Sequence, residues 1–484
     1  MIPYAKRLFF SLLFLFPTLS FASDEGHSDP FTKEFLAIFL ILIAAVSGRF
    51  IARRFKQSEV LGELIIGIAL GALLFSLNNR LVTTIRYQNE IREIIEETSD
   101  MEAEFDVAVK NYVANETELP DDVQARIVNV MTSEGFLNNF LNANYTLLFS
   151  SLGVLLLLFM VGLEVSSAEM IKMGSISFSV ATLGVVFPFV LGYLVAEFLI
   201  PGIEDQNVAI FVGATLAATS IGITARVFKD ANSLQLKESK LVLGAAVIDD
   251  IMGLILLAIV SGLVTSGNID LTEIVVIVAK ALLFLVFVYV TERYLLRHVV
   301  KFFGFFAGRN TFLLFPFTLL LLFAWLSSVI GLASIVGAFC AGLVLRDDLF
   351  KRFKRDHQTI EDLIAPIEGI FAPVFFVLMG FQVDIMAFGN WDVLLAGLML
   401  TVVAIVGKLL AGMFLKKGYD KLLVGIGLVP RGEVGLIFAS IGKSIGVLND
   451  ELFAVVIIVV ILTTLVTPPL LSARLKKVRA SANE

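Results

Sequence analysis

Cysteine and histidine are nearly absent: one cysteine, Cys340, and three histidines stand among 484 residues. That scarcity excludes a disulfide framework and a Cys/His metal cluster. Charge is scarce as well, at 17% of residues, against 57% hydrophobic residues and 43 phenylalanines. With a mean hydropathy of +0.89, this balance is foreign to a water-soluble domain and fits an all-α polytopic membrane protein. The apolar runs are about 17–25 residues long, which suits bilayer-crossing helices and not the ten-residue alternating strands of a barrel. The net charge of −7 is dispersed over loops and indicates no nucleic-acid partner. His27, His298 and His357 lie at or beyond the ends of the apolar runs, so covalent enzyme chemistry and a cofactor have no support.

Residues 1–22 read as a signal peptide: Lys6 and Arg7, the run LFFSLLFLF, then Ser20 and Ala22 at the −3 and −1 positions. Thirteen candidate spans follow, at about 34–52, 59–77, 146–164, 174–200, 207–226, 240–263, 270–290, 311–329, 331–346, 366–386, 391–414, 420–442 and 451–470. Basic residues cluster after spans one, five, seven, nine, eleven and thirteen, for example Arg53, Arg54 and Lys56, or Lys416, Lys417 and Lys421. The loops after spans four, six, eight and ten carry no Lys or Arg. By the positive-inside rule the chain is a multi-pass protein of the cell's inner membrane, with its N-terminus outside and C-terminus in the cytoplasm. The expected domains are the first two membrane helices (34–77), an acidic extracytoplasmic insertion (80–143), a transporter body (146–472) and a cytoplasmic tail (473–484). The insertion holds thirteen acidic and five basic residues. It reads as two short amphipathic helices, one opened by Pro120-Asp121-Asp122, that cover the outer surface or draw cations to it. No nucleotide-binding regulatory domain is evident in the sequence.

Ionisable residues inside the spans are few. Asp249 and Asp250 are the only ones within residues 241–260, LVLGAAVIDDIMGLILLAIV. A charge near mid-bilayer costs at least about 2.5–3.5 kcal/mol, so the default meaning of such a pair is a site for an ion or proton. Lys408 stands in the run TVVAIVGKLLAGMF, and Arg431 and Glu433 flank Gly432. Glu63 and Glu164 lie nearer span ends, and Lys280 falls inside span seven without an assigned role.

Two spans look discontinuous. Span five is interrupted by Thr215, Thr219, Ser220, Gly222 and Thr224, and span twelve by Gly425, Gly427, Pro430 and Gly432. Proline removes a backbone donor and clashes with the preceding turn. The small residues of span five also suit plain close packing of helices. The two spans are seven apart, and an odd offset reverses direction, as in an inverted repeat whose broken helices meet at mid-membrane. Exposed carbonyls and helix ends there are tolerated only in a protein-lined cavity.

Burial disfavours a lone charge, and a neighbouring opposite charge restores it. A carboxylate of the pair can hold a proton or pair with Lys408, and an entering Na⁺ displaces that partner with help from nearby hydroxyls or carbonyls. Protons and cations then compete for one site, and competition joined to alternating access is antiport. Arg431 and Glu433 read as a clamp on the broken helix in preference to direct ion ligands, because arginine stays charged. A channel is disfavoured by the missing carbonyl filter, and a passive scaffold leaves the intramembrane charges unexplained.

The segments VLGELIIGIALG (60–71), GATLAATSIGITARV (213–227), GAAVIDDIMGLI (244–255) and GLVPRGEVGLIFA (427–439) resemble the bacterial electrogenic sodium/proton branch of the cation–proton antiporter 2 family. The likeness covers about residues 34–472. It implies a thirteen-helix inverted-repeat antiporter fold with two broken crossing helices in a six-helix core, spans four to six (174–263) and eleven to thirteen (391–472). It also implies a homodimer and Asp250 as principal carrier of the transported Na⁺ or Li⁺ and of H⁺. Asp249 would pair with Lys408 and stand with Asp250 as a ligand of the transported Na⁺, and Thr219, Ser220, Arg431 and Glu433 would support the site, with Thr219 a further metal-ligand candidate. Electroneutral relatives commonly carry Asn at the place of Asp249, so both acids favour electrogenic exchange. K⁺ is the alternative substrate. The acidic insertion and the signal peptide depart from the family pattern.

Overall fold

Apolar length sets the architecture, and polar residues mark where each helix starts and stops. The computed structural model describes residues 32–55, 57–98, 105–116, 121–165, 167–200, 203, 205–266, 271–296, 298–300, 311–345, 359–383 and 390–483. The proposed signal peptide, His27 and His357 lie outside them. Among the described residues the regular structure is helical, with no strand. In chain order the helices are α1 (Thr32–Arg54), α2 (Glu59–Ser76), α3 (Arg80–Arg86), α4 (Gln88–Thr98), α5 (Phe105–Glu116), α6 (Asp121–Met131) and α7 (Phe136–Glu164). Then come α8 (Ser167–Leu199), α9 (Gln206–Ala217), α10 (Ile221–Asp230), α11 (Lys237–Ser266), α12 (Leu271–Val290) and α13 (Thr311–Val329). The last six are α14 (Ser334–Val344), α15 (Ile360–Phe381), α16 (Trp391–Met413), α17 (Lys421–Gly427), α18 (Glu433–Ser444) and α19 (Asp450–Asn483).

Ten described segments are long and apolar enough to cross a membrane, and shorter apolar helices stand at the other three expected places, Leu314–Val329, Ser334–Val344 and Val434–Lys443. The segment expected at 331–346 is the eleven-residue α14. Span twelve is split into α17 and α18, of seven and twelve residues. The acidic stretch 80–143 holds α3, α4, α5, α6 and the start of α7, not two helices. Residues 473–483 continue α19 to Asn483, because LSARLKKVRASAN is rich in helix formers and has no breaker after Pro469.

The chain divides into two compact units. The first comprises Met1–Gly48, Glu63–Ser150 and Val374–Asp384. Ile41, Ala45, Leu70, Leu74, Val374, Val377 and Phe381 form its larger apolar cluster. Glycine permits the close approach of α2 to α15, since a Cβ on Gly67 would fall 2.3 Å from the Val377 carbonyl oxygen. In the acidic stretch, Ile91, Ile94, Val109, Val113, Val123, Ile127 and Met131 build a separate small core. Two guanidiniums lie over the Phe75 ring, with Arg86 Cζ 4.2 Å and Arg126 Cζ 4.4 Å from its centroid. Arg126 also donates to Phe75 O at 2.7 Å, and Arg86 to Phe381 O at 3.1 Å and Val383 O at 3.0 Å.

The second unit comprises Arg49–Gly62, Ser151–Pro373 and Ile385–Glu484. In it α8 packs against α9, α11 and α16, and α19 against α16, α17, α18 and α10. Burial separates inner from outer helices: 89% of the apolar window in Gln206–Asp230 is buried, against 22% in Leu271–Leu295. Side-chain caps fix helix starts, Asp205 accepting from Asn207 N at 2.8 Å, Asn390 from Asp392 N at 3.0 Å and Asp420 from Leu423 N at 2.8 Å. Asp420 is held in turn by Arg474 at 3.0 and 2.7 Å, which fastens the start of α17 to α19.

Candidate functional site

Two breaks in the second unit cross each other. The α9 helix ends at Ala217, residues 218–220 are extended, and α10 resumes at Ile221. Likewise α17 ends at Gly427, Pro430 forbids helix continuation, and α18 starts at Glu433. Ser220 N donates to Pro430 O at 2.8 Å, Thr224 Oγ1 to Gly427 O at 2.7 Å, and Thr219 Oγ1 to Leu428 O at 3.4 Å. A Cβ on Gly432 would stand 2.8 Å from Ser220 Oγ, so glycine there lets the two chains touch.

Carbonyls freed by a broken helix must find donors when water is excluded. Lys408 Nζ donates to Ala217 O at 2.8 Å. Arg431 Nε donates to Leu216 O at 3.1 Å; its Nη2 also reaches Leu216 O and its Nη1 reaches Val429 O. Thr464 Oγ1 completes the shell by donating to Arg431 O at 3.3 Å. Lys408 and Arg431 are 0% and 1% exposed, and both cations sit at the carbonyl end of α9, where the helix dipole is negative.

The adjacent aspartates diverge, as successive positions on a helix must. Asp249, 2% exposed, lies 3.4 Å from Lys408 Nζ through Oδ1, while its buried Oδ2 has no hydrogen-bond partner. Asp250 points elsewhere: its Oδ2 accepts from Ala333 N at 3.3 Å, at the start of α14. Asp250 and Thr219 line one cavity with Leu158, Val247, Phe339 and Val434. Its volume of about 10 Å³ is that of a single water-sized particle.

The structure thus brings Asp249, Lys408, Thr219, Ser220 and Arg431 around the crossing, with Asp250 on the cavity beside it. The Glu433 side chain lies outside the described residues. Glu63 is completely buried near the start of α2, in the first unit, while Lys280 is exposed on α12. His298 is exposed and near Tyr294 O. Among the described residues no cluster of His, Cys, Asp and Glu forms a further metal site.

Two features are not legible in the sequence. One is the Ala333 N–H, a backbone group in a turn. The other is a charge network in which Arg226 Nη1 meets Glu368 Oε1 at 2.8 Å, Arg226 Nε meets Asp230 at 2.9 Å and Lys229 meets Glu368 Oε2 at 3.1 Å. Glu59 adds contacts to Arg49 and Arg53. Arg226 and Glu368 are 6% and 5% exposed, and the network links α10 to α15.

A family model described as "Sodium/hydrogen exchanger, transmembrane" matches residues 38–477. The chain is 37% identical over 333 residues to the high-affinity Na⁺/H⁺ antiporter NhaS3 of Synechocystis sp., spanning 67% of this chain and 70% of that protein. It is 32% identical over 367 residues to the Na⁺/H⁺-K⁺ antiporter GerN of Bacillus cereus, spanning 73% and 91%. Among solved structures, the sodium proton antiporter MjNhaP1 from Methanocaldococcus jannaschii superposes with a TM-score of 0.54 at 13% identity. That match spans 91% of this chain and 99% of the other, and it is a likeness of fold.

Proposed function

The chain belongs to the sodium/hydrogen exchanger family, and from that premise we propose that it exchanges cytoplasmic Na⁺ (or Li⁺) for external protons by alternating access. The observation that carries this reading is the division of labour within one acidic pair: Asp249 faces Lys408, and Asp250 faces a cavity. Lys408 is neutralised by Asp249 and anchored on Ala217 O. The transported cation enters beside Asp250, whose carboxylate and the Thr219 hydroxyl are hard oxygen ligands suited to an alkali ion. A proton on Asp250 removes the charge that the cation needs, so the two occupy the site in turn. Arg431 acts as a clamp, because its hydrogen bonds go to the backbone of the two breaks.

The Asp249–Lys408 pair supplies a second element that can gain or lose a proton, and the coupled groups titrate as one system. Two protons per cation follow, and the cycle is electrogenic. We read α8, α9–α10 and α11 with α16, α17–α18 and α19 as a six-helix core built from inverted repeats within a thirteen-span protomer. The working assembly is a homodimer in the inner membrane, N-terminus outside and C-terminus cytoplasmic, as the distribution of Lys and Arg favours.

Potassium is the second cation reading, favoured by the K⁺ in the name of the GerN relative. Proteoliposomes containing the protein, with a pH dye inside and Na⁺, Li⁺ or K⁺ added in turn, test the proposal. Saturable cation-dependent proton movement with a net current supports electrogenic antiport. Exchange insensitive to membrane potential would leave it electroneutral, and cation flux without proton movement would refute antiport.

A further inference from the structure

The Asp250 carboxylate is met by a backbone donor from another part of the chain, the turn between α13 and α14. Ala333 N lies 3.3 Å from Asp250 Oδ2. The turn holds its shape through its own bonds: Leu332 N donates to Ser327 O at 3.0 Å, and Ser327 Oγ donates to Ala333 O at 2.8 Å. Gly331 takes φ +92 there, a left-handed conformation that glycine adopts without strain. Tight packing of the two helices backs the turn, since a Cβ on Gly337 would fall 2.1 Å from Phe323 O. Ile335, Val336 and Phe339 of α14 line the same cavity as Asp250 and Thr219.

An N–H and a cation both seek the same carboxylate oxygen, and each is positive toward the other. The cavity has room for one water-sized particle, so there is little space for a cation to settle beside an undisturbed N–H. We propose that the α13–α14 turn belongs to the ion site: the Ala333 N–H occupies Asp250 in the cation-free state and is displaced when the cation binds. Ala333 is thereby a positioning residue that weakens ground-state cation binding and keeps Asp250 aimed at the cavity. The inference rests on Asp250 being the cation carboxylate.

Removing the donor tests it. Ala333 has φ −60 and ψ 135, so A333P fits the backbone angle and removes the N–H, with the ring Cδ in its place. Incorporation of the α-hydroxy analogue of alanine at position 333, which replaces that N–H by an ester oxygen, is a second variant that leaves the side chain and backbone shape intact. In proteoliposomes at fixed pH, both variants are expected to lower the Na⁺ concentration for half-maximal exchange about three- to tenfold, the worth of one displaced hydrogen bond. If the turn acts on ground-state binding, the change falls on the half-saturating concentration more than on the maximal rate. An unchanged or raised half-saturating concentration in the ester variant overturns the inference. D250N, measured in parallel, separates the two levels: wild-type exchange by D250N overturns the reading of Asp250 itself, whereas an inactive D250N with an unshifted ester variant overturns only the role of the turn.

Discussion

Lys408 and Arg431 donate to consecutive carbonyls at the end of one half-helix, Lys408 to Ala217 O at 2.8 Å and Arg431 to Leu216 O at 3.1 Å. The two positive charges come from different elements, α16 and the break before α18, and converge on a single helix terminus. A break in a buried helix leaves carbonyls without their usual donors. Here that loss is made good by side chains that also bring charge into the interior of the second unit.

D250N is expected to abolish cation-coupled proton movement while the protein stays folded. The amide preserves size, and its oxygen can still accept from Ala333 N, but the negative charge and the exchangeable proton are gone. A pH-dye assay in proteoliposomes, with size-exclusion chromatography as the check on folding, reads both parts. Wild-type exchange would sink the mechanism.

K408A strips the countercharge from Asp249 and the donor from Ala217 O. Breaking a buried pair from one side typically costs about 3–5 kcal/mol, so the thermal unfolding midpoint of the detergent-solubilised protein falls. Exchange survives in reduced form if Asp250 alone carries the cation, and net current is lost if Asp249–Lys408 supplies the second proton. An unchanged current per cation would contradict the two-element stoichiometry.

G432A pushes a methyl group to within 2.8 Å of Ser220 Oγ and 3.2 Å of Ser220 Cβ. The crossing has to open, and transport should drop at least tenfold. S220G in the same chain removes both obstructing atoms and is expected to restore a large part of the activity. Failure of that rescue would mean that Gly432 matters for its own backbone and not for the close approach.

R226M removes the buried contact at 2.8 Å, and E368Q strips the negative charge from its acceptor. Groups in one network do not add, and coupling of about 0.5–3 kcal/mol is expected when both are changed. A double-mutant cycle on thermal stability measures it. Strict additivity would show that the pair contributes nothing as a pair.

Side chains that break a pattern are easy to see in a sequence, and those that agree with it are not. Asp249 and Asp250 stand out because nothing else in residues 241–260 ionises, and Pro430 announces a break wherever a helix is expected. Glu368 was hidden by its place between Pro366 and Pro373 near the start of a span, where a charge is ordinary. Ala333 gave no signal at all, since its contribution is a backbone N–H aimed by a turn. The shortness of α14 was masked by apolar flanks that continue the hydrophobic run beyond the helix. In the acidic stretch, Ile91, Ile94, Val109 and Val113 serve a small core that only tertiary packing reveals.

The two guanidiniums on Phe75 carry a practical lesson about the acidic stretch. Arg86 and Arg126 act as rivets: each combines a cation–π contact with hydrogen bonds to backbone carbonyls, Phe75 O for Arg126, and Phe381 O and Val383 O for Arg86. Excising residues 80–143 would draw both rivets at once and bare the ends of α2 and α15. A deletion would therefore report the collapse of a seam whatever the acidic charges do. Their influence on cation supply is read instead by neutralising the exposed carboxylates Glu93, Glu96 and Glu97 with the rivets left in place.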